Sequence, residues 1–161
     1  MKRIWAPWRI KYLTNTKQKG CLFCRLQKQK RDKKNYIFLR KKYSFAILNA
    51  FPYNNGHALI LPYRHVKELG DLAKKEREEL FDLLQEVQDL LHKVLHPAGF
   101  NIGINYGKAA GAGFPGHVHV HIVPRWEGDV NFMPVISDTK VVSQSLSALY
   151  DQLIKAQKTR G

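Results

Sequence analysis

The chain has 161 residues, 44% of them apolar and 25% charged, with a formal net charge of +14. That length supports one core, and the composition is globular, which excludes a disordered chain. No run of about 18 apolar residues occurs and the basic start is not followed by an apolar stretch, so neither a membrane span nor a signal peptide is expected and the cytoplasm is the expected location.

The charge is unevenly placed. Of the 27 Lys and Arg, fifteen lie in residues 1–42 beside a single acid, Asp32, whereas residues 43–161 are neutral. Such a segment suits a polyanion, either nucleic acid or a phosphate-rich nucleotide, or it is simply a solvated face. In chain order, Trp5, Trp8 and Tyr12 alternate with Arg3, Arg9 and Lys11. These aromatics are expected to pack on the domain or a partner subunit, with base stacking as the alternative. Cys21 and Cys24 follow, too close to staple a fold; in a reducing compartment that spacing points to metal or redox chemistry. Arg25 to Lys34 has few apolar anchors and reads as a short exposed helix or a loop.

Tyr36 to Arg40 and Tyr43 to Leu48 are rich in β-branched and aromatic residues and read as strands. Pro52, Asn54, Asn55 and Gly56 punctuate a turn-rich connection. His57 to Leu61 is the next strand, ended by Pro62, and the three form an antiparallel meander. Asp71 is the expected N-cap of the helix that follows. There Leu80, Leu83, Leu84, Val87, Leu90, Leu91, Val94 and Leu95 recur at three- and four-residue steps, one apolar stripe that should cover one side of the sheet. His92 and His96 fall near its C-terminus, where the helix dipole favours cations, and read as structural.

Phe100 to Asn105 is a further strand. Residues 107–116 form a loop with glycines at 107, 111, 113 and 116 and nothing larger than a methyl group from 109 to 113. Such a loop lets backbone N–H groups approach a ligand, and successive N–H groups cradle phosphate. The loop runs into His117-Val118-His119-Val120-His121-Ile122-Val123. In a strand the three imidazoles share one face and the apolar residues the other. Three imidazoles make a poor core but a versatile site: base, acid, nucleophile or metal ligand. Beside a phosphate cradle they suit attack on phosphorus, one imidazole carrying the group covalently while its neighbours neutralise oxygens and protonate the leaving group. Residues 125–134 read as irregular, and Leu146, Leu149, Tyr150 and Leu153 mark a C-terminal amphipathic helix. The expected fold is α+β: an antiparallel sheet of about five strands, one long helix packed on it and a C-terminal helix. It forms a single domain over 1–161, with a basic N-terminal segment 1–35, a core 36–126 and a C-terminal segment 127–161.

The segment His117 to Val123 resembles the signature of the histidine triad superfamily of nucleotide hydrolases and transferases. Asn49, Pro52, Gly56 to Pro62 and His65 resemble its other nucleotide-facing segment. Trp5-Ala6-Pro7-Trp8-Arg9 with Tyr12, and Pro124-Arg125-Trp126, Gly128-Asp129 and Asn131-Phe132-Met133-Pro134, resemble the bacterial branch of diadenosine tetraphosphate phosphorylases. The resemblance implies an enzyme on dinucleoside polyphosphates that works through a covalent nucleotidyl-histidine. His119 would be the nucleophile at the α-phosphate, His121 would assist by hydrogen bonding to phosphate, and His57 would orient the site. Asn49 would meet the ribose, Asn105 the bridging oxygen or phosphate, and the loop at Gly111, Gly113 and Gly116 the phosphates. Gly113 stands where some members carry a polar residue, so backbone donors would serve there.

The resemblance further implies a structural zinc on Cys21, Cys24, His65 and His117, closed by four protein ligands and aiming His119 indirectly; a redox pair or two reduced thiols are the alternatives. It also implies a homodimer with a continuous sheet, the aromatic N-terminus and Trp126 completing the partner's site. Whether water or phosphate accepts the nucleotide stays open. So do two other readings: an enzyme that removes adenylate from nucleic-acid ends with the help of the basic segment, and a non-catalytic, zinc-stabilised nucleotide-binding protein.

Overall fold

The strands form where β-branched and aromatic residues alternate sides. The computed structural model describes residues 20–129 and 143–159; the readings for Trp5, Trp8 and Tyr12 and for Asn131 to Pro134 fall outside them. Strands β1 (Ile37–Arg40), β2 (Ser44–Leu48), β3 (Ala58–Pro62), β4 (Gly99–Gly103) and β5 (Val120–Arg125) make one five-stranded antiparallel sheet in the order β1-β2-β3-β5-β4. The first three are the expected meander, and β5 is inserted between β3 and the edge strand β4.

Helix α1 (Leu22–Lys28) and the short α2 (Asp32–Asn35) precede the sheet, so the Lys/Gln-rich stretch is helical. Its anchor is Phe23, 4% exposed, which joins Ile37, Phe45, Ile47, Leu59 and Leu61 on one face of the sheet. On the other face lies helix α3 (Lys74–Leu95), whose Leu80, Leu83, Leu84, Val87, Leu90 and Leu91 are buried on Ala46, Leu48, Ile60, Val120 and Ile122. Each such leucine contributes about 1.5–3 kcal/mol relative to leaving it in water, which is why the stripe fixes the helix against the sheet. The C-terminal helix α4 (Leu146–Lys158) adds Leu149, Tyr150 and Leu153 to the same core, with Ser145 Oγ accepting from the Ala148 N–H as its N-cap. No helix among the described residues is long and apolar enough to cross a membrane.

Three local expectations are corrected. Asp71 does not cap α3: it closes a preceding 3-10 turn (Leu69–Asp71), its carboxylate accepting from the Glu68 N–H, and the N-cap is Ala73. Glu76, three residues into α3, reaches back to accept from the Ala73 N–H at 2.7 Å and also holds Arg64 in a paired hydrogen bond, so a carboxylate inside the helix does the work expected of one before it. The last strand begins at Val120, not at His117. Its ladder with β3 stops at Ile60–Val120, because Pro62 has no N–H to offer and its carbonyl accepts from the His117 ring instead. The strand also runs on through Arg125, and β4 ends at Gly103, leaving Asn105 on the loop that follows.

Gly56 closes the connection from β2 to β3 at φ +78°, in the left-handed region. A Cβ there would lie 2.6 Å from Leu95 Cδ1 and 2.9 Å from Pro124 Cγ, where α3 and β5 meet the turn. Gly56→Ala is expected to lower stability by about 2–4 kcal/mol, the sum of backbone strain and overpacking, read from denaturant unfolding. An unchanged midpoint would show that the turn is not tied to those two elements.

Candidate active site and metal centre

The face that carries Ile47 and Leu59 continues across the sheet as His121 and Gly103, because those residues are paired in register from strand to strand. His121 therefore stands beside the apolar layer under α1, and His119 and His117 follow on the extended segment before β5. Val118 donates its N–H to Val66 O at 2.7 Å, which holds that segment against the chain leaving β3.

In three of the four imidazoles one nitrogen's role is set by a partner that can only donate or only accept, and the fourth, His121, takes its role from His57. His119 Nδ1 lies 2.8 Å from the carbonyl of His117, so it carries the proton and Nε2 keeps a free lone pair. His117 Nε2 lies 3.0 Å from Pro62 O, so Nδ1 is its lone-pair atom. The Tyr53 N–H donates at 3.0 Å to His57 Nδ1, which leaves the His57 proton on Nε2. That proton is directed at His121 Nδ1, 2.9 Å away, and so puts the His121 proton on Nε2. His121 Nε2 is buried and has no partner among the described residues. The result is a lone pair on His119 and an unspent N–H donor on His121, with the two rings 4.8 Å apart between centroids.

Burial keeps the imidazoles uncharged. It depresses His57 to about 3, helped by repulsion from His121 and His119, and His121 to about 4, helped by repulsion from His119. Burial also lowers His119 and His117, although the carbonyls of His117 and Pro62 pull the other way. Neutral rings at neutral pH are what a nucleophilic nitrogen and a neutral donor require.

Asn49 Nδ2 is 3.3 Å from His57 Nδ1, and its Oδ1 accepts from the Phe51 N–H, so this side chain borders the pair of histidines. The Asn105 amide lies against Gly111: a Cβ on that glycine would be 3.9 Å from Asn105 Nδ2. Gly111 sits at φ +84° and its N–H donates to Lys108 O, so it contributes the left-handed turn of the loop rather than a free donor. Among the described residues nothing lies within 4 Å of a Cβ at Gly113, whereas a Cβ at Gly116 would lie 3.6 Å from the His65 ring.

Cys21, Cys24, His65 and His117 come together from α1, the β3–α3 connection and the start of the triad, with one ligand atom of each within 4.8 Å of the others. The Cys21 Sγ and Cys24 Sγ lie 3.3 and 3.6 Å from His117 Nδ1, and Cys24 Sγ lies 3.5 Å from His65 Nδ1. Tetrahedral zinc with bonds of about 2.3 Å to sulfur and about 2.0 Å to nitrogen would space its ligands roughly 3.3–3.8 Å apart. The donor set, the three Cys–His distances and the lone pair on His117 Nδ1 fit a metal ion, while the full set, spread over as much as 4.8 Å, would draw in slightly around it.

Two residues of the site carry no signal that sequence reasoning used. Phe23, between the two cysteines, has its ring 5.4 Å from that of His119 and 5.6 Å from that of His117. Tyr53 lies parallel to the His121 ring at 5.9 Å and close over His57 at 4.6 Å. An aromatic inside a CxxC pair, and one four residues before His57, were the marks available in the chain.

A family model described as HIT domain matches residues 30–128. The chain is 38% identical over 155 residues to AP-4-A phosphorylase of Mycobacterium tuberculosis, covering 91% of this chain and 79% of that one. It is 38% identical over 115 residues to the asymmetrical bis(5'-nucleosyl)-tetraphosphatase of Schizosaccharomyces pombe, covering 71% of this chain and 63% of the other. Among solved structures, a zinc-bound histidine triad family protein from Mycobacterium smegmatis superposes with a TM-score of 0.69 at 24% identity, over 88% of this chain and 95% of its own. A matched domain spanning the whole sheet, joined to a relative alike over nearly the whole length, leads to one conclusion: the chain belongs to the HIT domain family, in the branch that resembles AP-4-A phosphorylase.

Proposed function

We propose that the chain is a nucleotide phosphorylase or hydrolase that acts on dinucleoside polyphosphates through a nucleotidyl group carried on His119. The observation that carries this reading is the proton arrangement of the histidines: His119 Nε2 has a free lone pair and His121 Nε2–H is a buried donor with no partner among the described residues. His119 Nε2 attacks the α-phosphorus, an N–P bond forms, and the P–O bond to the departing polyphosphate breaks. His121 Nε2–H hydrogen-bonds the phosphate and steadies the charge gathering on it, while His57 holds the His121 ring in that tautomer. The acceptor oxygen, from phosphate or water, then attacks the same phosphorus and frees His119. The relatives named AP-4-A phosphorylase and bis(5'-nucleosyl)-tetraphosphatase support the substrate class. Asn49 is proposed to meet the ribose, Asn105 the bridging oxygen or phosphate, and the loop at Gly111, Gly113 and Gly116 the phosphates.

The Cys/His centre is proposed to hold zinc. With four protein ligands such an ion has no open position, so it supplies a cross-link between α1, the β3–α3 connection and the triad rather than a step in the reaction. A homodimer is proposed to form along β4, an edge strand whose Asn101, Ile102 and Gly103 are exposed; sedimentation at a monomer's mass under assay conditions would refute it.

The acceptor is decided by incubating the protein with diadenosine tetraphosphate in the presence and absence of inorganic phosphate. ADP and ATP, formed only with phosphate, identify a phosphorylase and are the expected result from the mycobacterial relative. AMP and ATP formed without phosphate identify a hydrolase. No nucleotide release under either condition contradicts the proposed function.

A further inference from the structure

The two halves of the site, the His face and the metal centre, share one side chain that neither uses chemically. Phe23 sits in the first turn of α1, between Cys21 and Cys24, and is 4% exposed. Its ring stands edge-on to Phe114 of the glycine-rich loop, 5.2 Å between centroids at 68°, and edge-on to His117 at 71°. It also lies 5.4 Å from His119 at a tilt of 50°. These are attractive geometries for aromatic pairs, and together they reach a proposed metal ligand, the proposed nucleophile and the loop that precedes them.

Among the described residues the His119 ring, 6% exposed, also donates Nδ1–H to His117 O and contacts His121. A hydrogen bond fixes the tautomer but leaves the ring plane free to swing about it. The ring of Phe23, tilted 50° to that of His119, is a packed surface that opposes this. Helix α1 has seven residues and carries no side-chain N-cap, since Cys21 stands at that position. A helix so short is marginal on its own. It is tied down by its buried ring, by Gln27 donating to Tyr63 O and Arg40 donating to Gln27 O, and by the convergence of both cysteines on His65 and His117.

We propose that Phe23 is a positioning residue through which the Cys/His centre orders the imidazole of His119 and the loop at Phe114. This rests on the reading of His119 as nucleophile. Metal binding seats α1, α1 seats Phe23, and Phe23 holds the His119 plane so that Nε2 stays aimed at phosphorus. A misplacement near 1 Å at a reacting atom costs about 100-fold in rate, so a ring that no longer has its neighbour should lose turnover without losing substrate.

The test records the His119 ring nitrogens by proton–nitrogen correlation in the metal-loaded protein, in Phe23→Ala and in Phe23→Leu, together with kcat, KM and bound metal. The parent should give one sharp set with the proton on Nδ1. Both variants should keep their metal, broaden or split the His119 signals and lower kcat about 10- to 100-fold, with KM changed little. Phe23→Leu should recover the thermal stability that Phe23→Ala loses, without recovering the signals, which a mere filler of the core would not do. Where Phe23→Ala does not fold, Phe23→Leu decides. Chelation of the parent should disturb the same signals. Parent-like His119 signals or parent-like kcat in folded Phe23→Leu, or signals untouched by metal removal, would overturn the proposal. The nitrogen signals report on Phe23 whether or not His119 reacts, so a failure of the nucleophile reading, seen as turnover surviving in His119→Ala, is a separate result.

Discussion

His119→Ala is expected to keep the fold and to lose turnover by a factor on the order of 10⁴ or more. The size follows from what the residue supplies. A covalent route replaces one difficult displacement by two easier ones, and no other histidine of the cluster is placed to take over. His117 Nδ1 faces the two sulfurs, His57 Nδ1 accepts from Tyr53, and His121 Nδ1 faces the His57 N–H. The fold should survive because the ring lies on the segment just before β5, outside the α3 core, with its neighbour Phe23 held by the opposite apolar layer. His121→Ala should lose less, about 10²- to 10⁴-fold, since it removes a donor and leaves the nucleophile. Wild-type nucleotide release by His119→Ala would end the nucleophile reading.

The second large effect is on stability. Removing the metal with a chelator, or removing a ligand in Cys24→Ser, is expected to lower the melting temperature by roughly 10 °C. A metal held at about a thousand times its dissociation constant stabilises the folded chain by about 4 kcal/mol, and in a chain of this size each kcal/mol is worth about 2–4 °C. Elemental analysis should find one zinc per chain in the parent and none in Cys24→Ser. Replacement by cobalt should give the strong visible absorption of a tetrahedral thiolate site. A parent without metal whose melting temperature is indifferent to chelator would leave two reduced thiols near two histidines and no centre.

How much of this could be read from the chain depends on the range of the interaction involved. The stripe from Leu80 to Leu91 is a local repeat, and it gave α3 and the face it buries. The strands followed from composition and from Pro and Gly at their ends. Alternation put the triad on one face, and resemblance assigned its members. Cys21 and His117 are 96 residues apart, and no spacing rule links them; only the fold brings their ligand atoms together. Boundaries failed where a tertiary contact took over a local role. Glu76 satisfies the Ala73 N–H in place of Asp71, and the His117 ring takes the Pro62 carbonyl that a ladder would have used. The direction of the protons was beyond the sequence altogether, because it depends on a carbonyl facing His119 and a backbone N–H facing His57. So was Phe23, a lone aromatic whose importance is visible only when the rings it touches are known.

The covalent nucleotidyl-His119 is the claim on which the rest of the account turns, and it can be weighed directly. The protein is mixed with diadenosine tetraphosphate, quenched within one turnover, digested and measured by mass spectrometry under conditions that preserve N–P bonds. One adenylyl group is expected on the peptide containing His119, absent from His119→Ala and lost on incubation with the acceptor. A peptide that stays unmodified while product forms in the same burst, or an adduct on a different residue, would contradict it.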